Sequence, residues 1–218
     1  MEFFKYFVKY LPSFMDALQL TVISTILSLV FATILGVLFC LFKQSKIKPL
    51  QWLANIYISI IRGTPLIVQI LFIFFGLPMA FGFKWNLTLA CVVIMSLNAG
   101  AYMTELIRGG IEAVDKGQME AARSLGLTYA KAMWKIVLPQ AFRTMLPSII
   151  NQFIVTLKDT SLLSIIGFRE LTKNTQIIVA NNMEALIMYG IVAIYYWVIV
   201  TILAAFARMI ERRTTYGK

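Results

Sequence analysis

Four polar side chains interrupt stretches that are otherwise apolar: Arg62, Asn98, Lys158 and Asp159. A charge at bilayer depth costs at least about 2.5 kcal/mol on insertion scales, so such residues either serve a function or belong to a structural pair. Their types suit a zwitterion. An α-amino acid presents a carboxylate and an ammonium. The Arg62 guanidinium can grip the first in a bidentate pair, and Asp159 can take the second. Asn98, Thr64, Thr160 and Ser161 offer neutral hydrogen bonds, and Tyr102 offers a surface on which a side chain can pack. Gly63 and Pro65 flank Thr64 and loosen the helix there, freeing backbone groups toward a cavity. The same residues also fit a structural network, in which Arg62 pairs with Asp159 while Lys158 meets a backbone carbonyl, a partner subunit or a water-filled gate. Sequence alone leaves both readings open.

Other chemistries are poorly supplied. The chain has no histidine, which removes the commonest general base and the usual haem ligand. Paired carboxylates and a nucleophile with its base are also missing, so nothing points to an enzyme. No G-x-x-x-x-G-K-[ST] run is present to cradle a phosphate. Arg62, Lys158 and Asp159 mix both signs, which argues against a selective ion pore. Cys40 and Cys91 both fall in apolar runs and read as small packing residues rather than a disulfide or metal site.

These residues must be positioned by membrane-spanning helices. Of the 218 residues, 60% are hydrophobic, and the mean hydropathy is +0.80. A soluble domain of this size could not hide that much apolar surface. The expected fold is an all-α membrane protein with five transmembrane helices in one domain covering 1–218. The spans run over about 17–42, 50–77, 87–107, 146–167 and 185–207. The N-terminus reads as no removable signal peptide, and residues 3–14 as an interfacial segment. Arg62 lies roughly twelve residues into its span, about 18 Å deep at 1.5 Å per residue. Asn98, Lys158 and Asp159 reach similar depths, near the midplane where alternating-access carriers hold solute. No internal repeat supports a carrier of inverted halves.

The net charge of +10 sets the orientation. Thirteen lysines and arginines fall on the side of the 43–50 turn, the 108–145 loop and the C-terminal tail, against five on the other. The rule that positive charge stays inside puts that loop and the C-terminus in the cytoplasm, and the N-terminus outside. The excess is explained by the membrane and implies no nucleic acid. Glu105, near the cytoplasmic end of the third span, reads as a partner for Arg108 at i, i+3. The external segment 168–184 is expected to form a short helix.

The cytoplasmic loop has structure of its own. Helix formers from Gly117 to Leu125 precede Gly126, which can stop a helix by turning left-handed. Thr128 can cap a second helix, Tyr129 to Val137, ending before Pro139. Two short helices meeting at a glycine make a polar knob suited to a groove on a partner, although a pair of helices lying on the membrane is the plainer alternative.

The loop also has a signature spacing. Glu120-Ala121-Ala122, Gly126, Ile136 and Leu138-Pro139 stand at the intervals of the cytoplasmic loop signature of ABC importer permeases. Around them lie Arg62-Gly63-Thr64-Pro65-Leu66, the run from Ala101 to Ile111, Pro139 to Arg143, and Lys158-Asp159-Thr160-Ser161-Leu162. From about Leu18 to Arg208 the chain resembles the polar amino acid uptake branch of that family, whose members handle histidine, arginine, glutamine, glutamate and similar solutes. The resemblance implies a type I importer permease, multi-pass in a bacterial plasma membrane and not itself an enzyme. It implies a second permease subunit (the same chain or a related one), an ATP-binding cassette subunit that holds ATP and Mg, and an extracytoplasmic amino-acid-binding protein that contacts the 168–184 segment. It makes Glu120, Ala121, Ala122, Arg123 and Gly126 the coupling interface with the ATPase. A passive channel or secondary carrier for small polar solutes is the alternative.

Overall fold

The computed structural model describes the backbone of residues 2–215 and the side chains of residues 2–210. The end of the basic tail, with Arg212, Arg213 and Lys218, lies outside the described side chains. Among the described residues the fold is helical, with no strand. Helix α1 covers Glu2–Gln44 and α2 covers Lys48–Gly63. After a break come α3 (Leu66–Leu71), a wide turn (Phe72–Gly76) and α4 (Leu77–Phe81). Helix α5 covers Leu87–Glu112. The loop that follows holds α6 (Lys116–Ser124) and α7 (Tyr129–Ala132), then a second wide turn (Met133–Val137) and α8 (Leu138–Asp159). A 3-10 segment (Thr160–Ile166), α9 (Leu171–Asn182) and α10 (Ala185–Thr215) complete the chain.

Four helical stretches are long and apolar enough to cross a membrane, and α2 with α3–α4 makes a fifth if the bent pair is one span. That pair turns by 111° at Thr64-Pro65. The loosened second span read from Gly63 and Pro65 is therefore a sharp corner. Residues 3–14 are not a separate element but continue into α1, which runs unbroken for 43 residues, about 64 Å at 1.5 Å per residue, roughly twice the hydrocarbon thickness of a bilayer. It stays continuous because its two ends have different neighbours. Phe14 and Ala17 pack with Leu171, Ile178, Met188 and Ile191 of α9 and α10. Leu29 and Ala32 pack with Ala99 and Met103 of α5.

Prolines shape two other helices in the same way. In an α-helix, a proline lacks its own donor and clashes with the carbonyl four residues back. Before Pro78 the helix widens so that Leu77 N–H reaches the Phe72 carbonyl, and before Pro139 Leu138 N–H reaches the Met133 carbonyl. The helix from Tyr129 therefore does not end before Pro139, as its sequence suggested, but widens by one residue and continues into α8. The Ile73 carbonyl, left over in the first wide turn, accepts from Trp85 Nε1 at 2.9 Å.

The core has three centres. Beside the two seams along α1, Ile70 and Ile73 pack with Ala90, Cys91, Ile94 and Met95 of α5 and with Leu163 and Ile166 of the 3-10 segment. This cluster holds the corner and the 3-10 segment against the same face of α5. Cys40 and Cys91 are both buried.

At Gly36 the α1–α5 seam leaves no room for a side chain: an added Cβ would lie 2.7 Å from Met103 Cβ. Gly36→Leu should separate α1 from α5 and destabilise the fold by about 1–3 kcal/mol, as overpacking does. A lowered thermal unfolding midpoint in detergent checks this, and an unchanged midpoint contradicts the seam.

Candidate functional site

The corner at Thr64-Pro65 leaves carbonyls at the end of α2 without helical partners, and in a membrane such groups must be met from within the protein. Gln69, on the first turns of α3, meets them. Its Nε2 donates to the carbonyls of Ile61 at 2.8 Å and Thr64 at 3.0 Å, and to Thr64 Oγ1 at 3.0 Å. Its Oε1 accepts from Asn98 Nδ2 at 2.9 Å. Thr64 Oγ1 donates in turn to the Ile60 carbonyl at 2.8 Å. Asn98 and Thr64, two of the expected neutral solute contacts, thus serve the corner itself. Gln69 was missed from sequence, although a lone amide in the run Leu66-Ile67-Val68-Gln69-Ile70-Leu71 was the available signal.

Arg62 is exposed, in the last turn of α2, with its guanidinium 5.5 Å from the centre of the Tyr102 ring. A cation over an aromatic face at that range is attracted by about 0.5–1 kcal/mol at an exposed site. The structure thus brings together Arg62 and Tyr102. It does not join Arg62 to Asp159: among the described residues, no ion pair includes Arg62, Lys158 or Asp159. Lys158 is exposed and Asp159 half-buried. Both cations sit in the last turn of a helix, α2 for Arg62 and α8 for Lys158, where the carbonyl end of the helix dipole favours positive charge by about 0.3–1 kcal/mol. Helix α8 ends at Asp159 and a 3-10 segment follows, so the fourth span is not the uniform helix read from its composition. Thr160 is fully buried and donates to the Leu157 carbonyl at 2.7 Å. Ser161 is half-buried.

At the other end of α5, Glu105 accepts from Arg108 Nη2 at 2.8 Å and Nε at 3.1 Å, the pairing read from their spacing. It also accepts from Lys43 Nζ at 2.6 Å, which ties the end of α1 to α5. Arg108 Nη1 donates to Glu112 as well. Lys43 is distant in sequence, and periodicity gave no sign of it.

The knob of α6 and α7 is built from local signals. Asp115 Oδ1 accepts from Gly117 N–H at 2.7 Å and starts α6. Gly126 has φ +83°, with Gly126 N–H donating to the Arg123 carbonyl at 3.0 Å and Leu127 N–H to Ala122 at 3.2 Å. This is the left-handed stop expected there, with paired closing bonds. Thr128 Oγ1 caps α7 by accepting from Lys131 N–H at 3.4 Å. Glu120, Ala121, Arg123 and Gly126 are exposed. Ala122 differs: it is buried with Ala132 and Val137 where α6 packs on α7 and the second wide turn, so it closes the knob rather than facing outward. Leu125 beside Gly126 is 84% exposed, an apolar tip the motif did not single out.

An apolar groove of about 360 Å³, lined by Ile26, Val30, Ile150, Phe153 and Phe206 among others, opens between α1, α5, α8 and α10. Its lining includes none of the charged residues.

Four to five apolar helical stretches, one of them cornered, together with a capped polar knob are consistent with a membrane permease. Residues 29–216 match the family described as binding-protein-dependent transport system inner membrane component, and the chain belongs to that family. It is 38% identical over 206 residues to the arginine transport system permease protein ArtQ of Bacillus subtilis, covering 93% of each chain. It is 41% identical over 207 residues to the L-cystine permease protein TcyB of the same organism, covering 93% of this chain and 86% of that one. A crystal structure of an amino acid ABC transporter with histidines superposes with a TM-score of 0.91 at 41% identity, over 96% of this chain and 98% of that chain. The fold is thus that of the type I importers.

Replacing Gln69 by Leu strips the corner of its donors. The expected loss is about 1–3 kcal/mol for the carbonyls left unmet, read as a lower unfolding midpoint than that of the unmodified protein. Equal stability of Gln69→Leu and the unmodified protein contradicts the assignment.

Proposed function

We propose that this chain is the membrane subunit of an ATP-driven importer that moves polar amino acids across the bacterial plasma membrane. The observation that supports this most is its alignment, end to end and at 41% identity, with an amino acid ABC transporter. Family membership argues against a passive channel or a secondary carrier. The N-terminus lies outside and the C-terminus in the cytoplasm, in keeping with the charge count. A second permease subunit, an ATP-binding cassette subunit holding ATP and Mg, and an extracytoplasmic binding protein complete the machine.

The knob is the coupling element. Glu120, Ala121, Arg123 and Gly126 face the ATPase, with Leu125 as an apolar anchor, while Ala122 holds the two short helices together. Exposed small residues let the partner's backbone approach, and the Glu120 carboxylate suits a basic partner.

The solute site lies between the corner and the Lys158–Ser161 segment. Relatives named for arginine and for cystine share the fold, and the chemistry common to those solutes is the α-carboxylate with the α-ammonium. Arg62, free of any ion pair and braced on Tyr102, takes the carboxylate. Asp159 and the carbonyl ends of α2 and α8 take the ammonium. Lys158 and Ser161 border this site, whereas Thr64, Asn98 and Thr160 shape it from behind.

The test is uptake of radiolabelled arginine and cystine into liposomes carrying the complex, with and without internal ATP. Uptake without ATP, or none with it, sinks the proposal. Arg62→Ala and Asp159→Ala are each expected to raise the KM for uptake by about tenfold or more, the loss of about 1.4 kcal/mol of solute binding. Ala121→Leu should lower solute-stimulated ATP hydrolysis by about tenfold while the unfolding midpoint stays in place, and full hydrolysis in that variant removes the knob from coupling.

A further inference from the structure

The exposed side chains of α8 follow a pattern that lipid does not explain. From Thr144 to Asp159 they are Thr144, Ser148, Asn151 and Lys158, every one polar. They stand at i, i+4, i+7 and i+14 and so form one stripe along the helix, about 21 Å long at 1.5 Å per residue. Helix α2 repeats the pattern with Asn55, Ser59 and Arg62, all exposed, at i, i+4 and i+7. Among the described residues, neither the Asn55 nor the Asn151 amide has a hydrogen-bond partner. Helix α1 is the reverse. From Thr21 to Leu38 it buries Thr21, Ser24, Thr25 and Ser28. Its exposed side chains there are apolar except Thr33, whose hydroxyl donates to the Leu29 carbonyl at 2.7 Å.

An amide turned to hydrocarbon without a hydrogen-bond partner is costly, so α1 has the pattern of a lipid-facing helix, and α2 and α8 do not. A polar face at membrane depth meets either another protein surface or water. Two features favour water. Each stripe ends on a cation, Arg62 or Lys158, that has no ion pair among the described residues. Neither stripe carries a carboxylate, so a dry contact would bury these cations unneutralised. Helix α5, against which both α2 and α8 pack, is exposed from Cys91 to Ile111 only at Tyr102 and Gly109, again on one face at i and i+7. A Cβ added at Gly109 meets nothing within 4 Å, so packing inside the chain does not call for a glycine there. The stripes also share a direction. Helix α2 begins just beyond Lys43, which meets Glu105 near the end of α5, and α8 begins from the knob that follows α5. Both therefore run from that end of the molecule to Arg62 and Lys158.

We infer that the polar stripes of α2 and α8, with Tyr102 and Gly109 of α5, are the wetted wall of a passage along which a zwitterionic solute leaves the site beside Arg62 and Lys158 toward the knob. Amides and hydroxyls both donate and accept, so they serve a carboxylate and an ammonium alike and hold neither. Weak, repeated contacts suit a path, since a tight site partway along would detain the solute. The inference rests on the transport reading above for the identity of the solute, and on exposure and side-chain type alone for the water.

Reaction with a small charged thiol reagent tests the wall, in liposomes carrying the complete complex and with Cys40 and Cys91 first replaced by alanine. Ser59→Cys and Ser148→Cys are near-isosteric changes on the two stripes. Ile60→Cys and Ile34→Cys are the controls, at exposed apolar positions of α2 and α1. The stripe positions should react about tenfold or more faster than the controls, because a thiol among apolar groups stays protonated and inert. Similar rates at all four positions overturn the inference. So does an unreactive stripe, which means that it is packed dry against the other subunit. Gly109→Leu should lower the maximal rate of arginine and cystine uptake about fivefold or more, at an unchanged KM and unfolding midpoint. Full uptake in that variant removes Gly109 from the passage, and a raised KM moves it into the binding site. Reactive stripes in a complex that takes up neither probe defeat the transport reading and support the wet wall. Uptake past unreactive stripes does the opposite.

Discussion

A backbone carbonyl inside a membrane cannot be left to solvent, and the corner at Thr64-Pro65 exists only because that requirement is met locally. Turning a span by 111° removes helical partners from the end of α2. The Gln69 amide supplies replacement donors, and Asn98 on α5 fixes that amide. Everything near the corner follows. With Gln69 anchored to α5, Ile70 and Ile73 enter the cluster that also contains Leu163 and Ile166. The corner and the 3-10 segment are thereby held on one face of α5, and the charges Arg62 and Asp159 each stand beside a helix end.

The same constraint explains the wide turns. Pro78 and Pro139 would each break a ladder of hydrogen bonds. The chain instead adds one residue to the turn before each proline, and in the first case Trp85 takes the carbonyl left over. The second wide turn lies between the α6–α7 knob and α8, so the knob joins a long apolar helix through a widened but unbroken segment. The knob is thereby connected to Asp159, the last residue of the 22-residue α8, by continuous helix. A flexible linker in the same place would break that continuity.

Local signals were legible in the sequence because they act over a few residues. Gly126 turned left-handed, Thr128 capped α7, and Arg108 paired with Glu105, each as its spacing indicated. The apolar runs located the helices for the same reason. What escaped the reading depends on residues far apart in the chain. Gln69 with Asn98, Lys43 with Glu105 and Glu170 with Tyr196 are cross-helix pairs, and no helical periodicity announces them. The two proline sites escaped for a different reason: a proline can stop a helix, widen it or, as at Pro12 and Pro147, be carried within it, and the local sequence does not say which. The burial of Ala122 was not legible either, because a motif names positions without saying which face they occupy.

The charges near the site illustrate how location alters cost. A lysine or arginine in the middle of an intact span meets only apolar groups, and the insertion cost is felt in full. Arg62 and Lys158 instead occupy the last turns of α2 and α8, where the carbonyl end of the helix dipole carries negative potential. Breaking the helices thus makes the cations tolerable without giving either one an ion-pair partner. An arginine neutralised by Asp159 would have to surrender that partner before binding a carboxylate, and the exchange would cost most of what it gained. An arginine braced only on the Tyr102 ring keeps its forked donors available. The corner therefore leaves Arg62 at a helix end without an ion-pair partner among the described residues, as the carboxylate contact proposed above requires.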